Sequence, residues 1–363
     1  MIWIFLATRW AAGLERWAER TSSRRWVQGA VFFAACIVLA TLAGLPFDWL
    51  GTHYEHVFGV SVQTWGNWCG DEAKTLGLTL LVGVPVLLLF NWIVRRWPRR
   101  YWVAAWVATV PIIVFSVFLE PLVVPMFYTQ EPLAAHHAAL VTELEKVVAR
   151  TGIDIPPERM YLIKASEKSK GINAFVSGIG ATKRYVMWDT ATELMPDDQV
   201  LMIFGHESGH YVLNHIPKII AGSTIGLFFV YWACAGFAAW MTKRFGARWG
   251  THDLSSRTGF TVLLFAVAIA SFLLTPVSSA FSRYFEHQAD VYGQEAIHGI
   301  VADPQQTAVA MFNTLGAAWL EDPNPNPFIE FWLGDHPSVQ QRAEFAAHYD
   351  PWANGGRGEF FKN

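Results

Sequence analysis

The chain has 363 residues, of which 53% are hydrophobic and only 16% charged, which is too apolar for an ordinary soluble protein. A net charge of −3 gives no footing for a nucleic-acid partner. The three cysteines, Cys36, Cys69 and Cys234, lack metal or redox spacing; they read as small hydrophobes rather than a disulfide framework.

Residues 1–8 are apolar but too short to cross a bilayer, and no small-residue cleavage pattern follows, which argues against a cleaved signal peptide. Trp3, Trp10, Leu14 and Trp17 fall near one helical face, with Arg9, Glu15, Arg16, Glu19 and Arg20 elsewhere. That pattern suits a helix lying in the membrane interface, with a solvated terminus as the alternative. Residues 26–45 carry no charge, and at about 1.5 Å per residue they match the hydrocarbon thickness. Further apolar runs cover 76–94, 101–119, 219–241 and 258–281, so the expectation is five transmembrane helices. Arginine and lysine cluster at 16–25, 95–100 and 243–257, and are absent from 46–73. By the charge rule for short loops, this places the segment between the third and fourth spans outside the cytoplasm.

That polar insert, residues 129–218, opens with an amphipathic pattern over 133–150 that stops at Gly152. Short aromatic or β-branched segments at 159–165, 173–179 and 184–189 predict a small sheet. A helix begins near Pro196 with Asp197 and Asp198 in its first turn, where carboxylates complement the helix dipole. After the fifth span the pattern runs on into 282–299. A helix is expected over 304–320, none over the proline-rich 322–328, and a last one opened by Asp335, His336 and Pro337 and carrying Arg342. The domain reading is a membrane region (1–128: an interfacial helix and three spans), the insert, two spans (219–281) and a C-terminal catalytic portion (282–363). The fold class is mainly α, polytopic, with a zincin-like portion containing a small β-sheet.

The chemistry concentrates in the helix after Pro196, where His206, Glu207 and His210 have the spacing H-E-x-x-H. On a helix the two histidines share a face and converge on one zinc ion, with Glu207 beside it as base. A satisfied core pair of histidines is the alternative. A hydrolytic zinc takes three protein ligands and leaves one position open. Glu286 is the best third ligand, because a lone carboxylate just beyond an apolar span is costly and a cation relieves that cost. An ion pair with Arg283 would also satisfy it, and His287 is a rival ligand that points about 100° away on a helix. Asp290, one turn past Glu286, can hydrogen-bond a ligating imidazole. With zinc as Lewis acid, Glu207 would take a proton from water and return it to the leaving amine. His336 and Arg342 are candidate donors to the oxyanion, His336 being otherwise a mere helix-start residue.

These residues resemble the integral-membrane zinc metalloproteases typified by the type I CAAX prenyl protease. The likeness covers about residues 40–345 and rests on L-P-F-D at 45–48, the L-L-x-G-x-P run near 80–85, P-L-V-V-P-M-F at 121–127, N-A-F at 173–175, G-H-E-S-G-H at 205–210, S-R-Y-F-E-H-Q-A-D at 282–290 and D-H-P-S-V-x-x-R at 335–342. It implies one zinc per chain on His206, His210 and Glu286, Glu207 as base, Asp290 behind the ligands, and Asn173 on a strand that holds substrate backbone as an added strand. His336 and Arg342 match the segment lining the family's site. The family's members enclose an intramembrane chamber and cut prenylated C-terminal peptides, with a cytosolic site and seven spans in eukaryotes. Five spans and the charge bias here differ from that, which fits a relative in a bacterial inner membrane. Expected partners are the lipid bilayer and a peptide or membrane-associated protein, lipidated substrates included. A broad quality-control metalloprotease and a non-catalytic zinc-binding scaffold are the alternative readings.

Overall fold

The computed structural model describes residues 1–178 and 182–362. In chain order the elements are α1 (Ile2–Ala7), α2 (Trp10–Glu19), α3 (Arg25–Val57), α4 (Trp65–Arg96), α5 (Tyr101–Phe127), β1 (Gln130–Pro132), α6 (Ala138–Thr151), β2 (Met160–Ile163), β3 (Ala174–Ser177), β4 (Arg184–Trp188), α7 (Asp189–Leu194), α8 (Asp197–Val212), α9 (His215–Trp249), α10 (Arg257–Ala296), α11 (Pro304–Trp319), α12 (Pro327–Leu333) and α13 (Val339–His348). Four helices, α3, α4, α9 and α10, are long and apolar enough to cross a membrane; a fifth span results if Tyr101–Ser116 and Pro121–Phe127 form one broken crossing. All four outrun the expected spans. Pro46, Pro85 and Pro276 lie inside them without ending them, as prolines do in membrane helices where neighbouring groups take up the freed carbonyls.

The chain forms two compact units. Unit 1 comprises Met1–His53, Trp65–Phe115 and Ile220–Leu274. Its N-terminal segment is two helices rather than one, because Arg9 adopts a left-handed conformation at φ 62°. Leu6 and Ala11 are buried while Trp3, Trp10 and Trp17 stay exposed, a distribution that suits an interfacial segment more than a frayed terminus. The Glu15 carboxylate accepts the backbone N–H groups of Arg257 and Thr258 at 2.9 Å each, capping the otherwise unsatisfied first turn of α10. The cysteines are unpaired, as their spacing predicts.

Unit 2 comprises Tyr54–Thr64, Ser116–Ile219 and Thr275–Asn363. Its sheet has the order β1-β2-β4-β3, with β2 and β4 parallel and the outer pairs antiparallel. The expected strands are present but shorter, and Ile179, included in the third, lies outside the described residues. β1 went unpredicted because a three-residue strand ending in proline gives no alternation to read. On α6, Leu140, Val141, Leu144 and Val147 make a buried stripe, and the helix stops where Gly152 takes φ 68°. Two helix boundaries are corrected. Pro327 and Phe328 belong to α12, since proline is accommodated in a first turn whose N–H would be unpaired anyway. The last helix starts at Val339 with Ser338 as its cap, so Asp335, His336 and Pro337 form the loop before it.

α8 runs through the middle of unit 2, buried from Gln199 to Gly209 except for Glu207. Its glycines allow a close crossing with α10. A Cβ on Gly205 would lie 3.0 Å from the Gly293 carbonyl oxygen, and one on Gly293 would lie 2.8 Å from the His206 nitrogen. The two backbones therefore touch, which brings Glu286, two turns back along α10, beside the histidines.

Candidate metal centre and catalytic cleft

His206 and His210 project from one face of α8, with Nε2 atoms 3.1 Å apart. Glu286 completes a triangle: its Oε2 is 3.2 Å from His206 Nε2 and its Oε1 is 3.4 Å from His210 Nε2. A tetrahedral cation with bonds of about 2.0–2.1 Å holds neighbouring donors about 3.3–3.4 Å apart. The separations, taken to the two oxygens of Glu286, lie near that spacing, and one donor atom from each residue falls within 4.8 Å of the others. Glu286 is buried, and its Oε2 has no hydrogen-bond partner although His206 is near, which is what donors aimed at a shared central point rather than at each other would show. Among the described residues this is the cluster that fits a metal ion. The two rivals are not realised. Arg283 donates to the carbonyls of Glu330 and Gly334, and the His287 ring packs on Phe345 with centroids 4.6 Å apart.

Behind the triangle, Asp290 Oδ1 accepts from His206 Nδ1 at 2.9 Å. Arg342 donates to both oxygens of Asp290, Nε at 2.9 Å and Nη2 at 2.6 Å, and lies over the Phe312 ring. Arg342, expected as a donor to the oxyanion, thus holds Asp290 while also lining the cleft. Burial alone would lower the proton affinity of His206, but the contacts with Asp290 and Glu286 raise its pKa to about 10. An imidazole so surrounded by anions has a strong demand for a positive charge.

Glu207 lines, with His206, a cleft of about 500 Å³ whose walls include Asn173, Met311, Trp319, His336 and Leu333. Burial raises the Glu207 pKa, against the pull of His206 and His210, the direction a general base requires. His336 Nε2 is 3.2 Å from Glu286 Oε2, and its Nδ1 is 2.9 Å from Asp335 Oδ1. The hydrogen bond to Asp335, with the nearby Glu286 carboxylate second, lifts the His336 pKa to about 9, a shift that favours the imidazolium form. Asn173 is exposed on the cleft wall one residue before β3; its carbonyl accepts from Trp188 N–H at 2.9 Å. β3 is the sheet's edge, and among the described residues no strand pairs with its outer side.

Sequence reading did not single out His215. Its Nδ1 lies 3.1 Å from His210 Nδ1, and its Nε2 lies 3.2 Å from Gln288 Oε1. The signal available was a third histidine five positions past His210, but the turn that returns it to the site depends on Asn214 at φ 57°.

A family model described as "Peptidase family M48" matches residues 134–350, the stretch holding every residue of the triangle. The chain belongs to peptidase family M48. A second model, "CAAX prenyl protease N-terminal, five membrane helices", matches residues 1–129. An uncharacterized metalloprotease, YhfN, of Bacillus subtilis is 30% identical, with 95% of this chain and 79% of that protein covered. CAAX prenyl protease 1 of Saccharomyces cerevisiae is 25% identical over 87% of this chain and 71% of its own. The crystal structure of S. mikatae Ste24p has the same fold, with a TM-score of 0.82 at 21% identity over 95% of this chain and 83% of that one. This M48 protein is therefore a multi-pass membrane metalloprotease that acts on a peptide or protein and uses a metal cofactor, and it is similar to the CAAX prenyl proteases.

Proposed function

We propose that this M48 protein is a zinc endopeptidase of a bacterial membrane, with zinc held by His206, His210 and Glu286. The observation that carries the reading is the convergence of two imidazole nitrogens and a buried carboxylate at 3.1–3.4 Å, beside a carboxylate of raised pKa facing the cleft. Zinc bound there supplies a Lewis acid that acidifies water and polarises a carbonyl. Glu207 removes a proton from the attacking water and delivers it to the departing amine nitrogen as the C–N bond breaks. His336, oriented by Asp335, donates its Nε2–H to the oxygen that becomes negative. Arg342 acts through Asp290, fixing the carboxylate that orients His206. The outer edge of β3, entered at Asn173, offers backbone groups to an extended substrate, which then lies along the cleft as a further strand. The relatives named CAAX prenyl protease make a lipidated peptide the first substrate class to try.

Glu207→Gln keeps the shape and removes the base. Cleavage of a quenched peptide is expected to fall about 10²–10⁴-fold with zinc still bound; equal turnover by both proteins would sink the mechanism. The distribution of lysine and arginine supports a non-cytoplasmic site. An alkaline phosphatase fused at residue 145 is expected to be active, and an inactive fusion would assign the site to the cytoplasm.

A further inference from the structure

The two ligand histidines are supported unequally. His206 hydrogen-bonds the Asp290 carboxylate, whereas the Nδ1 of His210 faces another imidazole, Nδ1 of His215, at 3.1 Å. Two ring nitrogens at that distance share one proton. For His210 to present a lone pair at Nε2, its proton must sit on Nδ1, so His210 donates and His215 Nδ1 accepts. Neutral His215 then carries its own proton on Nε2, which must find an acceptor. The atom there is Gln288 Oε1 at 3.2 Å. The other end of that amide, Nε2, donates to the Tyr284 hydroxyl at 3.2 Å, so the amide is oriented consistently along the whole chain of bonds.

We propose that His215 and Gln288 are positioning residues that set the tautomer of His210: the amide acceptor puts the His215 proton on Nε2, the bare His215 Nδ1 puts the His210 proton on Nδ1, and His210 Nε2 is left open to the cation. The proposal rests on His210 being a metal ligand. His215 is fully buried and its ring packs on Phe285 at 4.6 Å between centroids, so it is locked in place. Gln288 lies two residues past Glu286, so the third ligand and the group that sets this tautomer ride on the same turn of α10. A neutral partner for His210 also avoids placing a fourth carboxylate, after Glu207, Glu286 and Asp290, around one ion.

The test is zinc affinity, measured on the detergent-purified full chain by competition with a chromophoric chelator. His215→Phe keeps a ring against Phe285 and removes the acceptor; affinity is expected to fall about 10–100-fold, the range found for lost partners of ligating histidines. His215→Asn, whose Oδ1 can occupy the place of Nδ1, is expected to recover most of that loss, which a purely space-filling role would not produce. Gln288→Leu is expected to weaken zinc and Gln288→Glu, which keeps the acceptor, to restore it; this pair serves if His215→Phe does not fold. Wild-type affinity in both His215→Phe and Gln288→Leu would overturn the proposal, as would an Asn variant as weak as Phe. If the wild-type protein itself holds no zinc, the metal reading fails instead.

Discussion

The two units use the same apolar side chains in opposite ways. In unit 1, Phe47, Leu81, Phe229 and Trp232 are 60–74% exposed, while a small core of Phe32, Phe33, Ile93 and Phe260 holds the helices together. In unit 2 the large side chains point inward: Tyr185, Phe204 and Phe312 are fully buried around α8. Outward apolar groups that face acyl chains gain little from helix association, whereas those of unit 2 are driven inward by water. One exception within unit 2 is α12, whose Phe328, Ile329, Phe331 and Leu333 are exposed although Ile329 and Leu333 line the cleft. Hydropathy alone therefore identifies a span in one unit and a core in the other, and chemistry is confined to the unit that excludes water from its interior.

The largest break in this comparison is expected from Glu286→Ala. It should release the metal and lower peptide cleavage at least about 10³-fold, the scale of losing the principal electrostatic element of a site; metal analysis and membrane fractionation would show unit 1 still inserted. Next, Phe204→Ala should destabilise by about 3–5 kcal/mol, while Leu81→Ala, outward on α4, should stay within about 0.5 kcal/mol, both read by thermal unfolding in detergent. The signs reverse for charge: Leu81→Arg should cost about 2.5–3.5 kcal/mol of insertion, whereas Leu194→Arg, half exposed in unit 2, should be near neutral, compared by the fraction recovered in membranes. Smaller than the core and insertion losses is that of Gly293→Ala, expected at about 1–3 kcal/mol from overpacking against His206, with weakened zinc binding as its companion in a chelator assay.

Much of this was legible in the sequence. The charge-free runs announced the spans, because nothing but an apolar solvent tolerates them, yet their ends were not, since Trp65–Thr75 and the stretch after Phe281 carry polar residues without a turn signal. His206 and His210 were legible from helical spacing, and Glu286 from the cost of a carboxylate so near an apolar run. Arg342 was found but its partner was not: its pairing with Asp290 joins residues 52 positions apart, a contact no local period encodes. His215 was overlooked for the opposite reason, being close in sequence but turned back by one left-handed residue.

The glycine crossing of α8 and α10 has a bearing on how the site tolerates change. Where Gly205 and Gly293 meet, the nearest neighbours of an added Cβ are main-chain atoms of the other helix, and main chain cannot swing aside as the end of a side chain can. The approach of Glu286 to His206 and His210 is thus a hinge without slack: a single methyl group there has to move a whole helix.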